Sequence, residues 1–231
     1  YAIANPMIAI DPPSSDLFDL RIIVWDAVDV KAKDETFFGG GGTSDVFITI
    51  KPIGKEQYPE QKTDVHYRSP GDAEFNWRMT WPIALPERAP RLFLQVWDAD
   101  LLSANDAIGE AQLTLKPLCD KALKRGGNLK LENVYVPTTH PNFKGNQGTV
   151  KLTIELMPRA EALQKVVGNG RDAPNQYPYL PTPVRPSLFD GLGIDFNMLN
   201  PFYFFKKYGV CCCACLVVAA VVVVIIMIIG G

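Results

Sequence analysis

The sequence predicts an all-β fold, an antiparallel sandwich of eight strands. Three observations carry this. Short apolar-alternating runs recur through the first two thirds of the chain, Gly, Pro, Asn and Asp fill the gaps between them, and no sustained helical period interrupts them apart from one stretch at 116–125. Beyond residue 157 the pattern dissolves into a Pro-rich segment and then an unbroken apolar run, so the full expectation is a sandwich, a linker and one C-terminal transmembrane helix.

Residues 1–17 form a lead-in segment rich in Pro, Ser and Asp after a short apolar opening. The first strand begins at Phe18, where Leu20, Ile22 and Val24 point one way and Arg21, Ile23 and Trp25 the other. Further strands are expected at 45–51, 62–68, 75–81, 92–98, 108–115, 134–136 and 149–156, with a helical turn at 116–125. The span 18–157 is long enough to bury one core. Trp25, Trp77, Trp81 and Trp97 are assigned to the core or rim of that sandwich.

Residues 158–205 carry Pro174, Pro178, Pro181, Pro183 and Pro186 among Asn and Gly, the composition of an extended linker. As a flexible coil such a segment spans roughly 40 Å and tethers the sandwich loosely. Residues 206–231 are the expected tail anchor: 210–229 hold 20 residues without a charge, and a helix needs about 20 to cross a bilayer. Lys206 and Lys207 precede it with Phe202, Tyr203, Phe204, Phe205 and Tyr208 as an interfacial belt, which orients the sandwich toward the cytosol. Cys211, Cys212, Cys213 and Cys215 at the start of the run invite S-acylation, or serve as small helix filler. With Cys119 standing alone, they do not form a disulfide framework, which fits a reducing compartment.

Charge narrows the partners. Residues 1–157 hold 17 Lys/Arg against 21 Asp/Glu and residues 158–231 hold 6 against 4, so neither part has the basic excess of a nucleic-acid binder. No enzyme constellation is present: His66 and His140 stand apart from any Ser/Asp or Cys partner, and Gly39 to Gly42 lack the Gly-Lys-Ser/Thr that a phosphate loop requires.

The chemistry is in two acidic loops. One follows the first strand and offers Asp34 and Asp45; the other follows 92–98 and offers Asp98, Asp100 and Asp106. Ca²⁺ takes six to eight oxygen ligands in flexible geometry, and facing carboxylate loops supply them without His or Cys. Five crowded carboxylates also raise one another's pKa values unless a cation joins them.

These residues resemble a known family. Ala27, Val30 and Asp34 followed by Thr43-Ser44-Asp45-Val46-Phe47, then Trp97-Asp98-x-Asp100, Ser103, Asp106 and Ile108-Gly109, look like the two calcium-binding loops of a C2 domain. The resemblance implies that Asp34, Asp45, Asp98, Asp100 and Asp106 bind Ca²⁺ with Ser103 as an auxiliary ligand. It also implies that the loop tips, with Phe37, Phe38, Leu101 and Leu102, enter an anionic phospholipid membrane. Together with Val167-Gly168-x-Gly170-Arg171, Arg185-Pro186, Asn200-Pro201-Phe202 and the apolar tail, the chain resembles the C-terminal end of a ferlin. Ferlins are tail-anchored proteins of vesicle fusion and membrane repair, so the implied setting is a vesicle or plasma membrane, with other C2 domains or fusion machinery as partners. Because the chain starts at Tyr1, a fragment of something longer is expected.

Two departures stand out. The first loop is long, with ten residues between Asp34 and Asp45. In the run from Lys62 to Arg68, where phosphoinositide-binding C2 domains cluster lysines, Asp64 interrupts the basic set. The competing functional class is a calcium-independent scaffold that binds a protein or packs on other C2 domains. A lipid-modifying enzyme whose catalytic domain lies outside this sequence is the third.

Overall fold

A computed structural model describes residues 16–32, 42–100, 104–175 and 177–186. Among them are nine strands and two helices: β1 (Asp16–Val28), β2 (Ser44–Ile53), β3 (Gln61–Lys62), β4 (His66–Ser69), β5 (Ala73–Leu85), β6 (Arg91–Asp98), β7 (Asp106–Thr114), α1 (Lys116–Arg125), β8 (Leu129–Pro137), β9 (Thr149–Pro158) and α2 (Arg159–Ala162). One sheet runs β5-β1-β9-β8; the other runs β3-β2-β6-β7, with β4 also on β2. Every pairing is antiparallel.

Strand periodicity sets the core. Leu20, Ile22 and Val24 lie opposite Trp81, Met79 and Trp77 on β5 and opposite Leu156, Ile154 and Leu152 on β9. Side chains of period two put all three on one face. The second sheet answers with Val46, Ile48, Ile50, Leu92, Leu94 and Val96, all buried. Each such side chain stabilises the fold by about 1.5–3 kcal/mol. Of the four tryptophans, Trp81 is fully enclosed, while Trp25, Trp77 and Trp97 are half-buried at the rim.

The helix stands where the sequence places it. Pro117 pre-sets its first turn, and it ends at Gly126, whose φ of 66° is the left-handed cap that lets the Gly126 N–H donate to Ala122 O. Leu118, Cys119 and Ala122 face inward. Burial pushes the Cys119 thiol up to about 11, which makes it a packing residue and a poor nucleophile.

One expected strand is split. The run 62–68 breaks into β3 and β4 because Thr63 turns into the structure: its N–H donates to Ile48 O at 2.9 Å and its Oγ1 accepts the Ile48 N–H at 3.0 Å. Asp64 then points away from the ladder.

The described residues 159–175 and 177–184, within the expected linker, lie against the sandwich. Residues up to Val184 belong to the compact unit of the sandwich, and a second unit begins at Arg185. Residues 159–184 form a strap across the outer face of the β5-β1 pair. Arg78 and Gly170 exchange backbone hydrogen bonds of 3.0 and 2.8 Å. Arg78 Nη1 donates to the carbonyls of Gly168 and Asp172, and its Nη2 to that of Pro174. Arg21 Nη2 reaches the carbonyls of Ala162 and Lys165 at 3.1 and 2.8 Å. Arg171 pairs with Asp64 at 2.6 Å, donates to Phe75 O and lies over the Trp77 ring. A coil becomes ordered here because buried arginines on the sheet need acceptors, and the strap backbone provides them. The apolar tail, with its four cysteines, lies outside the described residues; among the described ones no helix is long and apolar enough to cross a membrane.

Candidate functional site

At one end of the sandwich β1 stops, β2 starts, β4 turns into β5, β6 stops and β7 starts, so the acidic segments converge there by topology. Asp45 is the second residue of β2 and Asp98 the last of β6. Register brings them together: Asp98 lies opposite both Val46 on β2 and Asp106 on β7. A shift between Val96 and Trp97 produces that last pairing.

The Asp45 N–H donates to Asp98 Oδ1 at 2.7 Å, and the Ala99 N–H returns to Asp45 O at 2.8 Å. Asp98 is only 2% exposed, and its Oδ2 has no hydrogen-bond partner among the described residues. Desolvation raises its pKa above the usual carboxylate range; the Ser44 hydroxyl and the Asp45 N–H oppose the rise, and the charges of Asp100 and Asp45 add to it. Asp45 Oδ1 accepts the Arg68 N–H at 2.9 Å, a bond that holds Arg68 in the left-handed region at φ 52°. The Asp100 N–H donates to Asn105 Oδ1 at 3.2 Å. Asp106 is exposed.

Of the expected ligands, Asp45, Asp98 and Asp106 thus share this end, with Asp100 just beyond β6. Asp34 and Ser103 lie outside the described residues, as do Phe37, Phe38, Leu101 and Leu102. Among the described residues no group of three or more His, Cys, Asp or Glu is arranged to hold a metal ion. The donor chemistry nevertheless fits one: a buried, ionisable carboxylate oxygen without a partner is what an oxygen-seeking cation relieves.

Sequence reasoning missed two further acids at this end. The Asp29 N–H donates to Asp72 Oδ1 at 3.2 Å, tying the exit of β1 to the β4–β5 turn, and Ser69 closes that turn with a 2.6 Å bond to Asp72 O. An Asp after a Pro-Gly pair was the available signal for the turn. Asp64 was visible as an interruption, but its partner Arg171 lies 107 positions further along the chain.

Two sheets, antiparallel throughout, with acidic segments gathered at one end define an antiparallel β-sandwich of the C2 type. Residues 18–130 match the family model described as C2 domain, so the chain carries a C2 domain. It has ferlin homologues. Ferlin 1 of Toxoplasma gondii is 34% identical over 184 residues, which cover 78% of this chain and 12% of that protein. Myoferlin of Homo sapiens is 30% identical over 230 residues, 79% of this chain and 11% of its own length. The chain therefore spans only about an eighth of the relatives it matches. Among solved structures, one titled Extended-Synaptotagmin 2, C2A- and C2B-domains, calcium bound, is 17% identical with a TM-score of 0.46, covering 64% of this chain and 49% of that one.

Proposed function

We propose that this chain is the calcium-dependent, phospholipid-binding C2 module at the C-terminal end of a ferlin, anchored by its tail and acting in vesicle docking, membrane fusion or membrane repair. The observation that carries the proposal is the buried Asp98 Oδ2 without a partner. An enclosed acid that is neither paired nor hydrogen-bonded at one oxygen costs stability, and a cation at the loop end converts that cost into binding.

Asp45, Asp98, Asp100 and Asp106 would hold Ca²⁺, with Asp34 and Ser103 completing the set from the adjoining loops. The ion supplies positive charge that cancels the repulsion between an acidic tip and anionic lipid. The chain's own residues do the rest. The Asp45 amide fixes the Asp98 carboxylate, the Ala99–Asp45 bond locks β6 against β2, and the Asn105 side chain holds the start of the second loop. Phe37, Phe38, Leu101 and Leu102 are the residues proposed to enter the bilayer, each contributing about 1.5–3 kcal/mol when fully buried. The proposed tail anchor is the apolar run 210–229, with Cys211, Cys212, Cys213 and Cys215 open to acylation, and it keeps the sandwich on the cytosolic side of a vesicle or plasma membrane. Asp64 and its pairing with Arg171 disfavour the lysine-rich face as the lipid contact.

A specific observation favours a second reading, the calcium-independent scaffold that contacts a protein or other C2 domains. Asp45 already spends an oxygen on the Arg68 amide, and the described acids do not form a cage. Calorimetric Ca²⁺ titration separates the two. Saturable binding that disappears in Asp98→Asn with Asp100→Asn supports the calcium module; a wild-type chain that binds no Ca²⁺ overturns it and leaves the scaffold as the competing reading.

A further inference from the structure

Arg21 and Arg78 stand on the outer face of the β5-β1 pair, Arg21 opposite Thr80 and Arg78 opposite Ile23. An outward arginine on a two-layer sandwich belongs in water, yet each of these is 6% exposed because the strap lies over it. Their partners there are five neutral carbonyls. Two acids stand nearby: Asp19 is 4.0 Å from Arg21 through one oxygen and 2.5 Å from Arg159 through the other, and Glu155, opposite Arg21 on β9, accepts the Asn128 side-chain amide. Arg21 Nε has no partner. Arg21, Arg78 and Arg159 thus gather around two carboxylates, Asp19 and Glu155, and Arg78 makes no ion pair among the described residues; burial lowers its pKa, Arg21's charge adds to that, and Glu155 opposes it.

Guanidinium forks match phosphate oxygens bidentately and bind them more strongly than they bind carbonyls. Besides these bonds the strap is held by the Arg78–Gly170 backbone pair, by the Arg171 contacts, and by hydrogen bonds from Asn76 to Pro178 O and from the Thr80 hydroxyl to Asn169 Oδ1. Of its described residues only Ala162 and Gly170 are buried, while Leu163, Val166, Tyr177, Tyr179 and Val184 turn outward. Its attachment is therefore polar, and a stronger polar ligand competes for it directly.

We propose that residues 159–184 are a detachable strap masking a site for a polyphosphate anion, in which the guanidinium groups of Arg21 and Arg78 are the ligands and the Arg171–Asp64 pair is the latch. The site is separate from the acidic loop end and from the lysines around β3, and it opens without calcium.

The test uses the full 231-residue chain in detergent micelles with the calcium chelated, and inositol hexakisphosphate as probe. Because a ligand of the open form must raise its population, the probe should speed amide exchange at Gly170 and Arg78 about fivefold or more, leaving the β1–β9 amides unchanged. Arg171→Ala should tighten probe binding about tenfold by raising the open fraction, and adding Arg21→Gln with Arg78→Gln should remove it. Micelles doped with phosphatidylinositol bisphosphate distinguish the source of the phosphate: exchange speeded by both assigns a phosphate site open to soluble and lipid anions, and by the doped micelles alone a lipid headgroup site. Unchanged exchange with either anion overturns the proposal, and so does binding that survives the double Gln variant. If that variant does not melt cooperatively, the exchange measured on the wild-type chain decides alone.

Discussion

The loop end and the strap face solve the same problem in opposite ways. At the loop end a buried acid, Asp98, has one oxygen bonded by a backbone amide and the other without a hydrogen-bond partner among the described residues. On the strap face the buried cations Arg21 and Arg78 are covered by the protein's own backbone. The difference teaches that burial of charge marks function only together with the state of its partners. On the proposed readings, the first is a site for a ligand from outside and the second is one that the protein's own backbone fills.

The sharpest way to break the comparison is at the loop end. Asp98→Asn with Asp100→Asn is expected to lower Ca²⁺ affinity by about 100-fold or more, since two charged oxygen donors leave a site whose affinity follows ligand charge; calorimetry reads the loss. Next comes the strap. Asp64→Ala strips the counter-charge from Arg171, whose side chain is 16% exposed, and should cost about 3 kcal/mol in chemical denaturation. Asp98→Asn alone gives a smaller effect of the opposite sign. With calcium chelated it removes a desolvated charge and should raise Tm by about 2 °C, while in wild type the same charge penalises folding.

The pH dependence follows from that sign. Asp98 and Asp64 have folded pKa values above the ordinary 3.8, chiefly through desolvation, so the folded state holds more protons than the unfolded state between 3.8 and the raised values. Across that window, without calcium, the contribution of these two groups to stability rises as pH falls and is lost as pH rises. Urea midpoints measured with and without chelator check this, and the slope should shrink in Asp98→Asn. The smallest effect is at Cys119, whose buried thiol should react with a thiol reagent only after denaturation.

The longer strands such as β1, β5 and β6 were legible because each carries an inward face, and the α1 helix because Pro117 and Gly126 bracket it. The split at Thr63 was not, since the reason is a bond from its side chain to the Ile48 amide, a partner that sequence spacing does not reveal. The strap was read as coil for a related reason: what fastens it is backbone carbonyls, which every sequence possesses, and arginines placed about 90 or more positions earlier. At the loop end the acids were legible as a group. Their mutual geometry was not, because it depends on the register shift beside Trp97 and on the Arg68 amide that engages Asp45.

The strap also changes the leash. A coil running from the end of β9 to the tail segment would be the 47 residues 159–205, whereas a chain docked as far as Val184 leaves only the 21 residues 185–205. For a domain held on a membrane by the proposed tail, local concentration at that membrane scales inversely with the three-halves power of length, so docking the strap raises it about threefold to fourfold. On the proposed reading, with the tail in a bilayer, latching Arg171 onto Asp64 would bias the loop end toward that bilayer, and unlatching it would extend the reach toward another.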